Sequence, residues 1–143
     1  MKISTNLKIE SNSNYSFVNI IIHLGRVKLG DENSFEIKGT VILGLLEVIK
    51  NIQLFINDSI SNDDKINLEN IDLEEYIFTM HDLLPRNSNL FDGDDLVAFK
   101  VKENAFMAIC KPYEKDIVII HKFPISEYLQ HMLDLMGQLN STA

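Results

Sequence analysis

The sequence predicts an α+β fold: a single-layer antiparallel sheet, made of an N-terminal hairpin and a C-terminal three-stranded meander, packed with a central apolar helix, a short second helix and a C-terminal helix. Three observations carry this. Phe17 to Leu24 is a block of β-branched and aromatic residues; Val41 to Ile56 is a long apolar run with helical spacing; and from Leu96 onward the pattern reads strand, turn, strand, turn, strand, helix. With 143 residues, 45% of them apolar, the chain can bury one core of its own. It has no internal repeat and no dividing linker, so residues 1–143 are expected to form one domain.

The opening segment alternates through Ile3, Leu7 and Ile9 and then meets Ser11-Asn12-Ser13-Asn14, which predicts an edge strand followed by a turn. Phe17 to Leu24 is the next strand, closed by Gly25. Gly30 to Ser34 is expected to be a hairpin turn, with Ser34 to Lys38 as the returning strand. Gly39-Thr40 offers a break and a capping hydroxyl before the central helix. Thr40, Gly44, Glu47 and Asn51 recur at spacings of four, three and four, which predicts one narrow solvent stripe on a helix otherwise wrapped in core. A glycine inside such a helix costs about 1 kcal/mol relative to alanine, so Gly44 implies a close neighbour.

Asn57 to Asn67 has loop composition. From Asp72, a capping pair with Glu75 and apolar residues at Leu73, Tyr76, Ile77, Met80 and Leu84 predict the short second helix, ended by Pro85; Tyr76 to Thr79 also has strand character. Arg86 to Asp95 reads as a polar loop. Leu96 to Lys102, Ala105 to Lys111 and Ile117 to Lys122 form the meander. Ser126 is placed to cap the last helix, whose apolar face is expected from Tyr128, Leu129, Met132, Leu133 and Met136, with an end near Gly137.

Charge is distributed very unevenly. Between Asn57 and Asp95, eleven carboxylates stand against Lys65 and Arg86, a net of −9, while the remainder of the chain comes to +1. An acidic feature of that size repels phosphates, which disfavours nucleic acid as a partner. The single cysteine, Cys110, excludes an internal disulfide and fits a reducing compartment. The N-terminus lacks the apolar stretch of a signal peptide, and the apolar stretch Val41 to Leu46, interrupted by Gly44 and soon followed by Glu47 and Lys50, is too short to span a bilayer, so a cytoplasmic protein without membrane contact is expected.

The motifs of chemistry are missing. Gly93 in Asp92-Gly93-Asp94-Asp95 does not sit in an EF-hand frame, because Ser88, Leu90 and Phe99 would fall where ligands belong; a weak cation turn is the most this stretch offers, against a solvated turn before a strand. The four histidines lack zinc spacing, and phosphate-cradling glycine motifs are absent. Cys110 lies in an apolar stretch that favours packing, although a pairing with His121 on the adjacent strand is conceivable. Neighbouring carboxylates such as Glu74-Glu75 point apart and make no acid/base dyad. No enzyme and no cofactor are expected.

Size, acidity, the missing catalytic motifs and the closing meander plus helix (Asp95 to Leu139) together resemble the small acidic immunity proteins of bacterial toxin systems, including contact-dependent growth inhibition. The resemblance implies a non-catalytic inhibitor that covers a basic toxin domain, often a nuclease. Asp63, Asp64, Glu74, Glu75, Asp92, Asp94 and Asp95 are then the expected contacts to a Lys/Arg-rich protein, with Tyr76 and Phe91 as apolar anchors. Two other readings share the composition. An acidic type III secretion chaperone would dimerise through its central helix and usually begins with a helix, where this sequence has strand character; a phage-encoded DNA mimic would block a nucleic-acid-processing enzyme. A monomer or weak homodimer is expected, and an obligate dimer would favour the chaperone.

Overall fold

The structure, a computed structural model, describes residues 2–57, 81–86, 89–101, 104–110 and 118–141. It is α+β and antiparallel throughout, but the strands divide into two four-stranded sheets where one layer was expected. The first sheet holds β1 (Ile3–Ser11), β2 (Ser16–Leu24), β3 (Val27–Leu29) and β4 (Glu36–Ile37); the second holds β5 (His81–Asp82), β6 (Asp95–Val101), β7 (Asn104–Cys110) and β8 (Val118–Lys122). Two helices lie among the described residues, α1 (Lys38–Asn57) and α2 (Ile125–Ser141).

β1 and β2 pair along their full length, from Ile3 opposite Leu24 to Ser11 opposite Ser16. Their turn is held by Asn12, whose Oδ1 accepts the amides of Asn14 (2.9 Å) and Tyr15 (2.8 Å), the local bonding that makes asparagine a turn residue. The other side of β2 is shared. Gly25-Arg26 is the tight turn into β3, which pairs with Ile22 to Leu24, while β4 pairs with Phe17 and Val18. The hairpin expected at Gly30 to Ser34 is therefore a detour in an interrupted edge strand. Asn19, 3% exposed, replaces the missing ladder by donating from Nδ2 to the carbonyls of Asp31 (2.7 Å) and Ser34 (2.6 Å).

The meander β6–β7–β8 is as expected, with Leu96 opposite Ile109 and Ile109 opposite Ile119. β5 is not. The helix expected from Asp72 lies outside the described residues except for its end, and there His81 and Asp82 form a strand paired with Ala98 and Val97. The open edge of β6 offers unpaired backbone groups, and joining it outweighs the helical spacing of Met80 and Leu84. Leu83 extends the pairing, its amide donating to the Leu96 carbonyl at 2.9 Å.

Helix α1 bridges the two sheets, packing on β2, β4 and β5 and along α2, which in turn reaches β1. Val18, Ile20, Ile22 and Leu24 from β2 meet Val41, Leu45, Val48, Ile52 and Phe55 from α1, with Leu96, Ala98, Met107 and Ile109 from the second sheet, in one core. Fully burying each of these Val, Ile, Leu, Phe and Met side chains stabilises by about 1.5–3 kcal/mol.

Both helices differ from expectation in their exposed faces. α1 begins at Lys38, two residues before Thr40, and its solvent side is not the stripe through Gly44 and Asn51. Gly44 is buried, and a Cβ there would stand 2.9 Å from Pro85 Cβ, so the close approach it implies is to the chain just after β5. Leu43, Leu46 and Leu54 face solvent instead. α2 begins at Ile125 and runs through Gly137 to Ser141; Leu133 is exposed, and Leu135 and Leu139 take the core positions. As a whole α1 is long and apolar enough to cross a membrane by length and composition, yet its Val41, Leu45, Val48, Ile52 and Phe55 are core residues here.

Candidate functional site

The segment from His81 to Asp95 is where the acidic stretch meets the folded core, and four elements fix it. α1 holds it by the contact of Gly44 with Pro85 and by Asn51, whose Nδ2 donates to the Asp82 carbonyl at 2.9 Å. α2 holds it by Tyr128, fully buried, whose hydroxyl donates to the Leu83 carbonyl at 2.5 Å. β6 holds it through the ladder. The turn before β6 does the rest.

That turn closes with the Asp94 amide donating to the Phe91 carbonyl (3.1 Å), and its third residue, Gly93, has φ of +80°, the value a type II turn requires there. Asp92-Gly93-Asp94-Asp95 is thus a turn before a strand. Its geometry sorts the carboxylates. Asp92 faces solvent, whereas Asp94 is 7% exposed and its Oδ2 accepts the Gly30 amide at 2.8 Å, tying the first sheet's loop to the second sheet. Gly30 has φ of +102° and lies close against β2, where a Cβ would stand 2.8 Å from the Ile20 carbonyl oxygen.

Arg86 collects what remains. Its Nε donates to Asp82 Oδ2 (2.7 Å), its Nη2 to Asp95 Oδ1 (3.1 Å) and its Nη1 to the Asp94 carbonyl (3.0 Å). Burial works against the guanidinium's charge, but the hydrogen bond and Coulombic attraction of Asp82, followed by those of Asp95, outweigh it and hold the pKa above its ordinary value. Asp82, Asp95 and Arg86 are each roughly a third exposed, so the cluster is a compensated patch at the surface.

The expected partner contacts accordingly divide into three groups. Asp63, Asp64, Glu74, Glu75 and Tyr76 lie outside the described residues. Asp94 and Asp95 are engaged inside the fold. Phe91 is 1% exposed and packs in the core beside Gly30, so it is no surface anchor; an aromatic flanked by acids in sequence is turned inward by the turn that follows it. Asp92 is exposed, whereas Asp95 is about a third exposed and paired with Arg86.

Arg86 is the residue that composition undervalued. The signal was its spacing: it follows Asp82 by four residues and precedes Asp94 and Asp95, so any compact path brings cation and carboxylates together.

Among the described residues no group of three or more His, Cys, Asp or Glu could hold a metal, and the Asp94 and Asp95 carboxylates point to separate partners. Across β7 and β8 the register sets Met107 opposite His121 and Cys110 opposite Val118, so Cys110 and His121 are not cross-strand neighbours. No protein-family model matches the chain, and no curated protein or solved structure matches it either.

Proposed function

We propose that this chain is a non-catalytic inhibitor of the immunity class, which binds and neutralises a basic toxin domain, a nuclease domain being the kind its charge suits best. The observation that carries the reading is the concentration of charge: eleven carboxylates against two bases between Asn57 and Asp95, in a chain otherwise close to neutral. Such a field raises the association rate of a Lys/Arg-rich partner and penalises acidic ones. On this reading the acids differ in what they offer a partner. Asp82, Asp94 and Asp95 spend their charge on Arg86 and Gly30, so the contacts fall to Asp92 and to Asp63, Asp64, Glu74 and Glu75, with Tyr76 as the remaining aromatic anchor.

The test is titration with the basic C-terminal domain of a toxin encoded beside this chain, with affinity followed against salt. Tight one-to-one binding that weakens steeply with salt, and weakens again on neutralising Asp92 with Glu74 and Glu75, supports the reading. Binding indifferent to salt and to those substitutions would reject its electrostatic part.

A second reading, an acidic secretion chaperone, draws support from one feature, the solvent-facing leucines of central helix α1. Light scattering separates the two, because a dimer that never dissociates favours the chaperone.

A further inference from the structure

Helix α1 carries a second stripe that the core does not use. Leu43, Glu47, Lys50 and Leu54 follow one another at spacings of four, three and four, so at 3.6 residues per turn they fall within a sector of about 60°. All four are exposed, Leu43 by 67% and Leu54 by 50%, and Leu46, exposed by 50%, flanks them. Val41, Leu45, Val48, Ile52 and Phe55 of the same helix fill the core, with Ile42 and Ile49 packed against it. Neither Glu47 nor Lys50 forms an ion pair with a described residue.

The stripe has a symmetry of its own. Leu43 and Leu54 are equally distant from a midpoint between Val48 and Ile49, and so are Glu47 and Lys50. A twofold axis through that midpoint, perpendicular to the helix, brings Leu43 against Leu54 of the partner subunit and Glu47 against Lys50 of the partner subunit, each contact made twice. We infer that α1 pairs antiparallel with α1 of a second copy of this chain, giving a reversible isologous homodimer.

Charge selects both occupant and direction. A parallel pairing would set Glu47 on Glu47 and Lys50 on Lys50. A strongly basic or acidic partner gains nothing from a stripe whose charges cancel, whereas the antiparallel copy satisfies both charges and covers the leucines at each end. A single helix face is small beside a standard interface, so the dimer dissociates on dilution. The pairing is independent of what the acidic segment binds.

Sedimentation velocity on the full chain across a concentration series tests this. The expected result is a monomer–dimer equilibrium that Glu47→Lys and Lys50→Glu each weaken by about tenfold, since two attractive contacts become two repulsive ones. The double variant Glu47→Lys with Lys50→Glu restores the dimer, and an equimolar mixture of the two single variants forms a heterodimer. Leu43→Glu abolishes pairing, and circular dichroism and thermal unfolding stay as in the parent because every altered side chain is exposed. A parent chain that remains monomeric at every concentration would overturn the proposal, as would a dimer indifferent to the single reversals or a double variant no better than either. Leucine-dependent binding to lipid vesicles by a chain that stays monomeric would overturn it too, in favour of a membrane surface.

Discussion

The acidic turn region around Arg86 and the apolar helix α1 exchange the roles their compositions suggest. Arg86 to Asp95 reads as a polar loop, yet Asp94, Leu90 and Phe91 are buried and Arg86 binds Asp82 and Asp95. Val41 to Ile56 looks like core on nearly every side, yet Leu43, Leu46 and Leu54 are at least half exposed. Composition reports how much polar and apolar material a segment holds. Orientation depends on which partners the fold brings alongside, and here a carboxylate satisfied by a backbone amide goes inside while three leucines of α1 stay exposed.

The contrast breaks most visibly at Phe91. If its ring is core, Phe91→Ala costs about 3–5 kcal/mol in denaturant unfolding; if it were a surface anchor, stability would hold and only partner affinity would fall. Next in size is Gly44→Ala. Its better helix propensity gains about 1 kcal/mol, but the new methyl meets the rigid Pro85 ring, and overpacking of that kind costs about 1–3 kcal/mol, so net destabilisation is expected in chemical melts.

Arg86→Met is held to about 1–2 kcal/mol, because each member of the cluster keeps partial access to water that screens the unpaired carboxylates. Asp92→Asn, on the exposed tip of the same turn, should leave stability within about 0.5 kcal/mol while lowering partner affinity, and that pair of variants separates structural acids from contact acids.

A further effect appears only in alkali. Burial, with Asp82 adding to it, raises the Tyr128 phenol far above its ordinary 10.0. The folded state therefore favours the neutral phenol, and its stabilisation, complete below pH 10, declines as pH rises above that value and the unfolded chain ionises first. Tyr128→Phe should remove this share of the alkaline slope, at a cost of about 1 kcal/mol at neutral pH for the lost bond to the Leu83 carbonyl. Unfolding midpoints measured from pH 8 upward check both.

Much of the fold was legible because local pattern and tertiary outcome agree. The β-branched block at β2, the three meander strands and the terminal helix all emerge near their expected bounds. The failures share a cause. His81 and Asp82 follow a helical spacing until the edge of β6 claims them, and the single expected layer is instead two separate ladders, with α1 in contact with strands of both. Neither outcome can be read from periodicity, which knows nothing of open edges. For the candidate site, the sequence located the acids and could not orient them: Asp94 and Asp95 differ by one position, and successive side chains on an extended chain point to opposite sides, one to Gly30 and one to Arg86.

The bond from the Gly30 amide to Asp94 joins residues sixty-four positions apart and depends on the two sheets being docked. Each ladder can form from neighbours in sequence, but this amide is shielded only once both have come together. Its proton is thus an intrinsic gauge of docking: hydrogen exchange at Gly30 reads the free energy of separating the halves, while amides inside β2 or β7 read the unravelling of each half alone.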